Sequence, residues 1–292
     1  MIEIQNLTRN YGDNKGIFNL SLQIPQGEVF GFLGPNGAGK TTTIRHLMGF
    51  LRAKQGMAHI DGFDCFDDAS QIQKRVGYIP GEMTLFDDMT GNEYLAFIAK
   101  YRNDYNPKSI IHLLDAFEVN SNGKIKKMSK GMKQKIGIVA AFMHNPEILI
   151  LDEPTSGLDP LMQNRFIELI MEEKKKGKTI MMSSHMFEEI ERTADRIGII
   201  KQGKLVTVDT VDNIKSSQTK KYIITFENAD DANSFANEPF ETSLLAENKI
   251  EVSIQNNLQN LIISLPKYKI QDLSASTQSL EDVFMHYFGG EK

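Results

Sequence analysis

The stretch Gly34-Pro35-Asn36-Gly37-Ala38-Gly39-Lys40-Thr41, followed by Thr42, sets glycines, a lysine and hydroxyls at the spacing G-x-x-x-x-G-K-[ST]. The glycines let main-chain N–H groups turn inward as a nest for phosphate oxygens. Lys40 is then placed to reach the β- and γ-phosphates of a nucleotide, and the Thr41 hydroxyl to ligate Mg²⁺. A helix opening there points its positive end at the anion. The second chemical element is ILILDEP, Ile148 to Pro154. Its apolar run reads as a buried strand whose C-terminal end meets a ligand crevice. Asp152 is expected to hold Mg²⁺ through a water, and Glu153 to orient and deprotonate an attacking water.

The loop spacing by itself fits kinases, GTPases, AAA+ motors and transport ATPases alike, so the elements around it must separate them. IEIQNL, from Ile2, and LSLQI, Leu20 to Ile24, alternate apolar with polar residues and read as half-buried strands. GEVFGFLG reads as a short strand running into the glycine loop, with a helix from about Thr41 to Met48. VGYIP, ILILDEP and TIMMSS read as buried strands, each followed by a loop and a helical pattern. That alternation builds a parallel sheet with helices on both sides. Between Val76 and Pro146 the spacing turns helical, in NEYLAFIAKY and KSIIHLLDAF. RIGIIKQGKLVTVD is expected as a hairpin turning at Gln202-Gly203. Beyond it KKYIITF, NKIEVSI and NLIISL read as strands and SLEDVFMHYF as a last amphipathic helix, a small appended domain from about Ile214.

The bulk numbers narrow the class. With 40% hydrophobic and 24% charged residues over 292 positions, the chain has the composition of an ordinary globular protein. A net charge of −5 argues against a nucleic-acid partner. The lone cysteine, Cys65, rules out an internal disulfide and reads as a small apolar side chain. MIEIQNLTRNYG lacks the apolar core of a signal peptide. The most apolar run, Ile136 to Met143, falls far short of the roughly 20 residues a spanning helix needs. Work at a membrane would need a second chain.

GPNGAGKT, MSKGMKQK, ILILDEPTSGLD and SSH, in that order, resemble the motifs of ABC (ATP-binding cassette) transporter nucleotide-binding domains, over Met1 to about Asp212. The resemblance implies a P-loop NTPase (RecA-like) α/β core with an antiparallel β-subdomain and a helical signature subdomain at about 82–146. With the small α+β C-terminal domain read above from the strand and helix pattern, the domains are expected over 1–213 and 214–292. The resemblance implies ATP hydrolysis with ATP and Mg²⁺. Tyr11 matches the aromatic that stacks on adenine, a contact worth about 1–3 kcal/mol in other nucleotide systems. Ser156-Gly157-Leu158-Asp159 matches the D-loop at a dimer interface, and His185 the switch histidine on the γ-phosphate. Two domains would pack head to tail, one giving Lys40, Asp152 and Glu153, the other its signature residues. The implied partner is an integral-membrane permease, reached at the cytoplasmic face by a homodimer or heterodimer of these domains. SLEDVFMHYF resembles the tail of drug- and peptide-export ATPases, which tilts the reading toward export.

The chain departs from the family in two places. Where the family has LSGGQ, it has Met128-Ser129-Lys130-Gly131-Met132. Ser129 and Gly131 keep a hydroxyl and a permissive backbone for a phosphate presented in trans, together with Met132. Lys130 puts a cation at a helix start, unfavourable by about 0.3–1 kcal/mol until an anion faces it. The wider run KIKKMSKGMKQK reads best as a cationic wall facing ATP, with a solvated helix face or a nucleic-acid patch as the alternatives. In YIPGEMTLF the family's metal- and water-contacting glutamine falls at Gly81, which has no side chain. Glu82 is either its replacement as a Mg²⁺ ligand or a solvated loop charge. Competing classes are soluble translation- or repair-associated cassettes, and a regulator that binds ATP but hydrolyses slowly. Those translation factors carry two cassettes and those repair proteins a long coiled coil, whereas this chain has one phosphate loop and no sustained heptads.

Overall fold

A computed structural model of the chain describes residues 1–13, 15–102, 107–216, 220–254 and 258–276. The chain separates into two compact units, Met1–Val211 and Asp212–Lys292.

In the first unit β1 (Ile2–Asn10) and β2 (Gly16–Ile24) form an antiparallel pair, and β3 (Val29–Leu33) runs into the glycine loop and α1 (Lys40–Leu47). Then come β4 (Gln55–Ile60), β5 (Phe63–Asp64), α2 (Ala69–Arg75) and β6 (Val76–Ile79). A helical layer follows, α3 (Gly91–Arg102), α4 (Pro107–Ala116) and α5 (Lys130–Phe142). The chain returns through β7 (Ile148–Asp152), α6 (Pro160–Lys175), β8 (Thr179–Ser184), α7 (Phe187–Thr193), β9 (Arg196–Lys201) and β10 (Lys204–Thr210). One sheet is antiparallel, β2-β1-β4-β5; the other runs β10-β9-β3-β8-β7-β6 and is parallel except for β10. Every residue of β3, β7 and β8 is buried, as expected of strands covered on both faces. Ile4, Leu20 and Ile24 from the antiparallel sheet meet Phe30, Phe32, Ile44 and Ile150 in one core, with α1 in it. The phosphate loop is thus anchored by both sheets. β9 and β10 turn at Gln202-Gly203, both at positive φ, the backbone a tight hairpin requires.

The helical layer is joined to the core at Arg102, on the last turn of α3. Its guanidinium donates to the Val76 carbonyl and to Nε2 of His144, just beyond α5. His144 is buried, and burial, followed by the Arg102 charge, pushes its pKa from 6.5 to about 4. A base whose folded pKa is depressed contributes stability that is present above 6.5 and lost as pH falls through about 4. The full loss is on the order of 3 kcal/mol. Gln at this position keeps an acceptor for Arg102 and does not titrate. Urea midpoints of His144→Gln should therefore fall less than wild type between neutral and mildly acidic pH.

The second unit contains α8 (Val211–Ser216) from Asp212 on, then β11 (Lys220–Phe226), α9 (Ala229–Phe235), β12 (Glu241–Ala246), β13 (Lys249–Ile254), α10 (Leu258–Ser264) and β14 (Ile270–Ser276). The strand order is β12-β13-β11-β14, a βαββαβ arrangement. Phe226, Phe235, Val252 and Leu261 are fully buried at its centre. NLIISL, expected as a strand, lies in α10 and the turn after it. Its buried residues, Leu261, Ser264 and Leu265, recur at three- and four-residue spacing, while Ile262 and Ile263 are 56% and 63% exposed. The burial period is helical, and β-branching lost to it. Topology asks for the same thing. β13 and β14 both pair antiparallel to β11, so they run parallel and need a crossover between them. The terminal SLEDVFMHYF lies outside the described residues.

Candidate functional site: a phosphate loop facing a carboxylate pair

The loop after β3 turns at Gly37 (φ +80) and Gly39 (φ +113). Nothing lies within 4 Å of where a Cβ at Gly37 would sit, whereas at Gly39 it would strike the Ile17 side chain at 2.7 Å. Open space on one side and tight support on the other make a cradle. Ala38 N donates back to the Pro35 carbonyl, and Gly203 N to the Ala38 carbonyl, so the Gln202-Gly203 turn braces the loop. Gly34 and Ala38 are buried, while Pro35, Asn36 and Gly37 are exposed. Lys40 is buried and donates to the Gly34 carbonyl at 2.6 Å and the Pro35 carbonyl at 3.3 Å. Its ammonium also lies 3.4 Å from Oε1 of Glu153. Thr41 is exposed and Thr42 half-buried on the first turn of α1, which carries no acidic residue.

β7 lies one strand from β3 and delivers Asp152 and Glu153 at its C-terminal end. Asp152 is fully buried; Oδ1 accepts from the Ser183 hydroxyl, while Oδ2 has no partner. An orphaned buried carboxylate oxygen is costly, and a cation is the group that relieves it. The Asp152 charge, after burial, also helps push Tyr78 up to about 12. Glu153 follows at φ +48, a strained setting for a residue other than glycine. Its N–H is held by the carbonyl and the hydroxyl of Ser183, both at 3.1 Å. Its carboxylate bridges Lys40 and Nδ1 of His185, the latter at 2.8 Å. Lys40, Asp152, Glu153 and His185, more than 140 residues apart at the extremes, are brought to one place.

Ser183 and Ser184, quoted in the SSH motif but given no role of their own, join this group, and so does Glu189, which sequence reasoning did not single out. Ser183 pairs in register with Asp152 across β7 and β8. The Ser184 hydroxyl donates to buried Glu189 and accepts from Met186 N, which pins the turn carrying His185. Burial raises the Glu189 pKa, against the Ser184 bond that lowers it. Polar residues ending a buried strand beside the crevice were the available signal.

The remaining candidates lie around this centre. Tyr11 is 51% exposed beyond β1, with Arg9 stacked on its ring. Its turn leads to Gly16, whose carbonyl lies 3.2 Å from a Cβ built at Gly39. Ser129 caps α5, its hydroxyl accepting from Met132 N, and Met132 is exposed. Lys130, expected to face ATP in trans, donates to the Ser156 hydroxyl of its own chain at 2.9 Å. Asp159 caps α6 through Met162 N, Leu158 is buried, and Gly157 turns at φ +82. Glu82 is exposed, next to Gly81. A Cβ at Gly81 would lie 3.0 Å from the orphaned Oδ2 of Asp152. A glutamine there would need this pair to shift.

For Mg²⁺ the fit is a partial cage. Among the described residues no cluster of three His, Cys, Asp or Glu side chains could hold a metal. Oδ2 of Asp152 and the Thr41 hydroxyl suit an ion that keeps several waters and takes phosphate oxygens.

A glycine cradle at a helix start, beside a strand-end aspartate and glutamate at the carboxyl edge of a parallel sheet, defines a P-loop NTPase. The ABC transporter family pattern matches residues 17–156. The chain is 38% identical to the bacitracin transport ATP-binding protein BcrA of Bacillus licheniformis, over 76% of this chain and 74% of that protein. A solved ATP-binding subunit of an ABC transporter superposes with a TM-score of 0.67 at 31% identity, covering 74% of this chain and 92% of that one. A dimeric bacterial ABC transporter cassette shares the fold, with a TM-score of 0.65 at 24% identity over 72% of this chain and 99% of that one. The chain belongs to the ATP-binding proteins of ABC transporters, and it is an ATPase.

Proposed function

We propose that this chain powers a drug or peptide exporter whose membrane part is a separate permease. Two cassettes close head to tail on ATP, and residues 1–213 form the cassette with 214–292 as an accessory domain. No helix among the described residues is long and apolar enough to cross a membrane. A permease would therefore hold the cassette at the cytoplasmic face of the cell membrane. The bacitracin relative supports export of a peptide-like drug. An apolar groove lined by Phe50, Tyr78, Met83, Tyr94, Ile98 and Tyr101 is the proposed permease seat.

The observation that carries the head-to-tail reading is where the signature turn points. Ser129 and Met132 are exposed, and the bonds of this turn go to its own helix and to Ser156, none to Gly34–Thr42. The Ser129 hydroxyl accepts from Met132 N and keeps its own proton free to donate to a phosphate. Within one subunit Glu153 is taken up by Lys40 and His185. An arriving triphosphate would draw Lys40 onto its β- and γ-oxygens and His185 onto the γ-phosphate. Glu153 is then free to take a proton from water. Mg²⁺, held by Thr41 and Asp152 with Glu82 as the nearby carboxylate, would neutralise charge on the phosphates. Tyr11 would stack on the adenine. ATP-saturated Glu153→Gln should sediment as a dimer, and nucleotide-free protein as a monomer. A monomer in both states, with and without the permease, would sink the reading.

A further inference from the structure

We propose that Lys130 is a positioning residue that, through Ser156, fixes the water-activating turn Glu153–Gly157 to helix α5. The proposal rests on Glu153 as the base of the ATPase site. It sets the pose of Glu153 partly from the helical layer and not from the sheet alone.

The contacts form a continuous relay. Lys130 Nζ donates to the Ser156 hydroxyl at 2.9 Å, and Ser156 N donates to the Glu153 carbonyl at 3.1 Å. One turn further along α5, buried Gln134 donates to the Pro154 carbonyl at 2.6 Å. Beside the Lys130 tie the two backbones approach closely, Gly131 against Gly157. A Cβ on Gly131 would sit 2.6 Å from the Gly157 carbonyl oxygen, so this position needs glycine for the contact inside its own chain. The aliphatic stem of Lys130 covers Gly157, with Cγ and Cδ 3.2 Å from where a Cβ there would lie.

A glycine at position 130, the residue in the LSGGQ pattern, has nothing that reaches Ser156. Lys130 spans the gap, and it does so against local electrostatics. The first turn of α5 has no acidic residue, and a cation is disfavoured at a helix N-terminus. Its hydrogen-bond acceptor is a neutral hydroxyl rather than a carboxylate. What the lysine supplies is therefore length and a donor. Glu153 itself sits at φ +48, a pose that persists only when its surroundings over-determine it. Ser183 holds that pose from the sheet, and the Lys130–Ser156 relay holds it from α5.

The test is a double-mutant cycle on the full chain with steady-state ATPase and equilibrium binding of a non-hydrolysed ATP analogue. Lys130→Met keeps the stem and removes the donor; Ser156→Ala removes the acceptor. Each should lower kcat by about 3- to 10-fold, the effect of one lost hydrogen bond. The double variant should be no slower than the slower single, because both cut one relay. Analogue affinity should stay at the wild-type value, and Lys130→Arg, which still donates, should recover most of the rate. Ser156→Ala turning over at the wild-type rate, or multiplicative losses in the double variant, would overturn the proposal. So would a Lys130→Met defect confined to analogue affinity, which would place the lysine on phosphate instead. Failure of Glu153 as the base is read separately, as normal turnover of Glu153→Gln.

Discussion

Glu153→Gln is expected to lower steady ATP turnover by about 10²- to 10⁴-fold, the range for loss of a general base, while leaving ATP binding intact. The amide matches the carboxylate in shape and can still bond to His185 or Lys40, but it cannot accept a proton at neutral pH. The main-chain pose does not depend on the side chain, because Ser183 holds the Glu153 N–H with both its carbonyl and its hydroxyl. Removing the charge should slightly destabilise the nucleotide-free protein, since buried Lys40 loses its carboxylate partner. Single-turnover hydrolysis and filter binding separate the two effects. Turnover within a few-fold of wild type would move the base elsewhere.

Much of this site is legible in sequence because its chemistry is local. A phosphate nest needs glycines and a lysine within eight consecutive residues, Gly34 to Thr41, and Asp152 and Glu153 follow an apolar run that a buried strand requires. What stayed hidden depends on register between distant strands and helices. Ser183 becomes a partner of Asp152 only when β8 pairs with β7 at that offset. Lys130 reads as a cation facing ATP in trans until α5 is laid against the turn after β7, where Ser156 of its own chain meets it. Gly81 reads as a missing glutamine, and only its nearness to Oδ2 of Asp152 gives its small size a physical reason. In the second unit, Ile262 and Ile263 gave a strand-like run whose burial turned out helical. Short apolar segments are decided by the partner they pack on, which local pattern does not contain.

Asp152→Asn should make the nucleotide-free protein more stable and the working enzyme at least 10²-fold slower, by analogy with losing one electrostatic stabiliser of a transition state. The wild-type carboxylate is fully buried with one hydrogen bond, from Ser183, and one oxygen without a partner. An uncompensated buried charge costs several kcal/mol, whereas a buried amide with one unpaired group costs about 1–3 kcal/mol. The exchange should therefore raise the urea midpoint, by roughly 1 kcal/mol in stability terms. The same exchange removes the oxygen available to Mg²⁺. Wild-type protein at an ATP concentration about 100 times its dissociation constant should gain about 2.7 kcal/mol, and the part of that gain that requires Mg²⁺ should vanish in Asp152→Asn. Urea melts with ATP, with and without Mg²⁺, read both signs in one experiment. A variant that is less stable when empty, and still gains from Mg²⁺ with ATP, would mean that Oδ2 of Asp152 faces something other than the metal. A rise in apo stability with loss of the Mg²⁺ response would instead identify the buried charge as a strain the empty subunit carries for the sake of the ion.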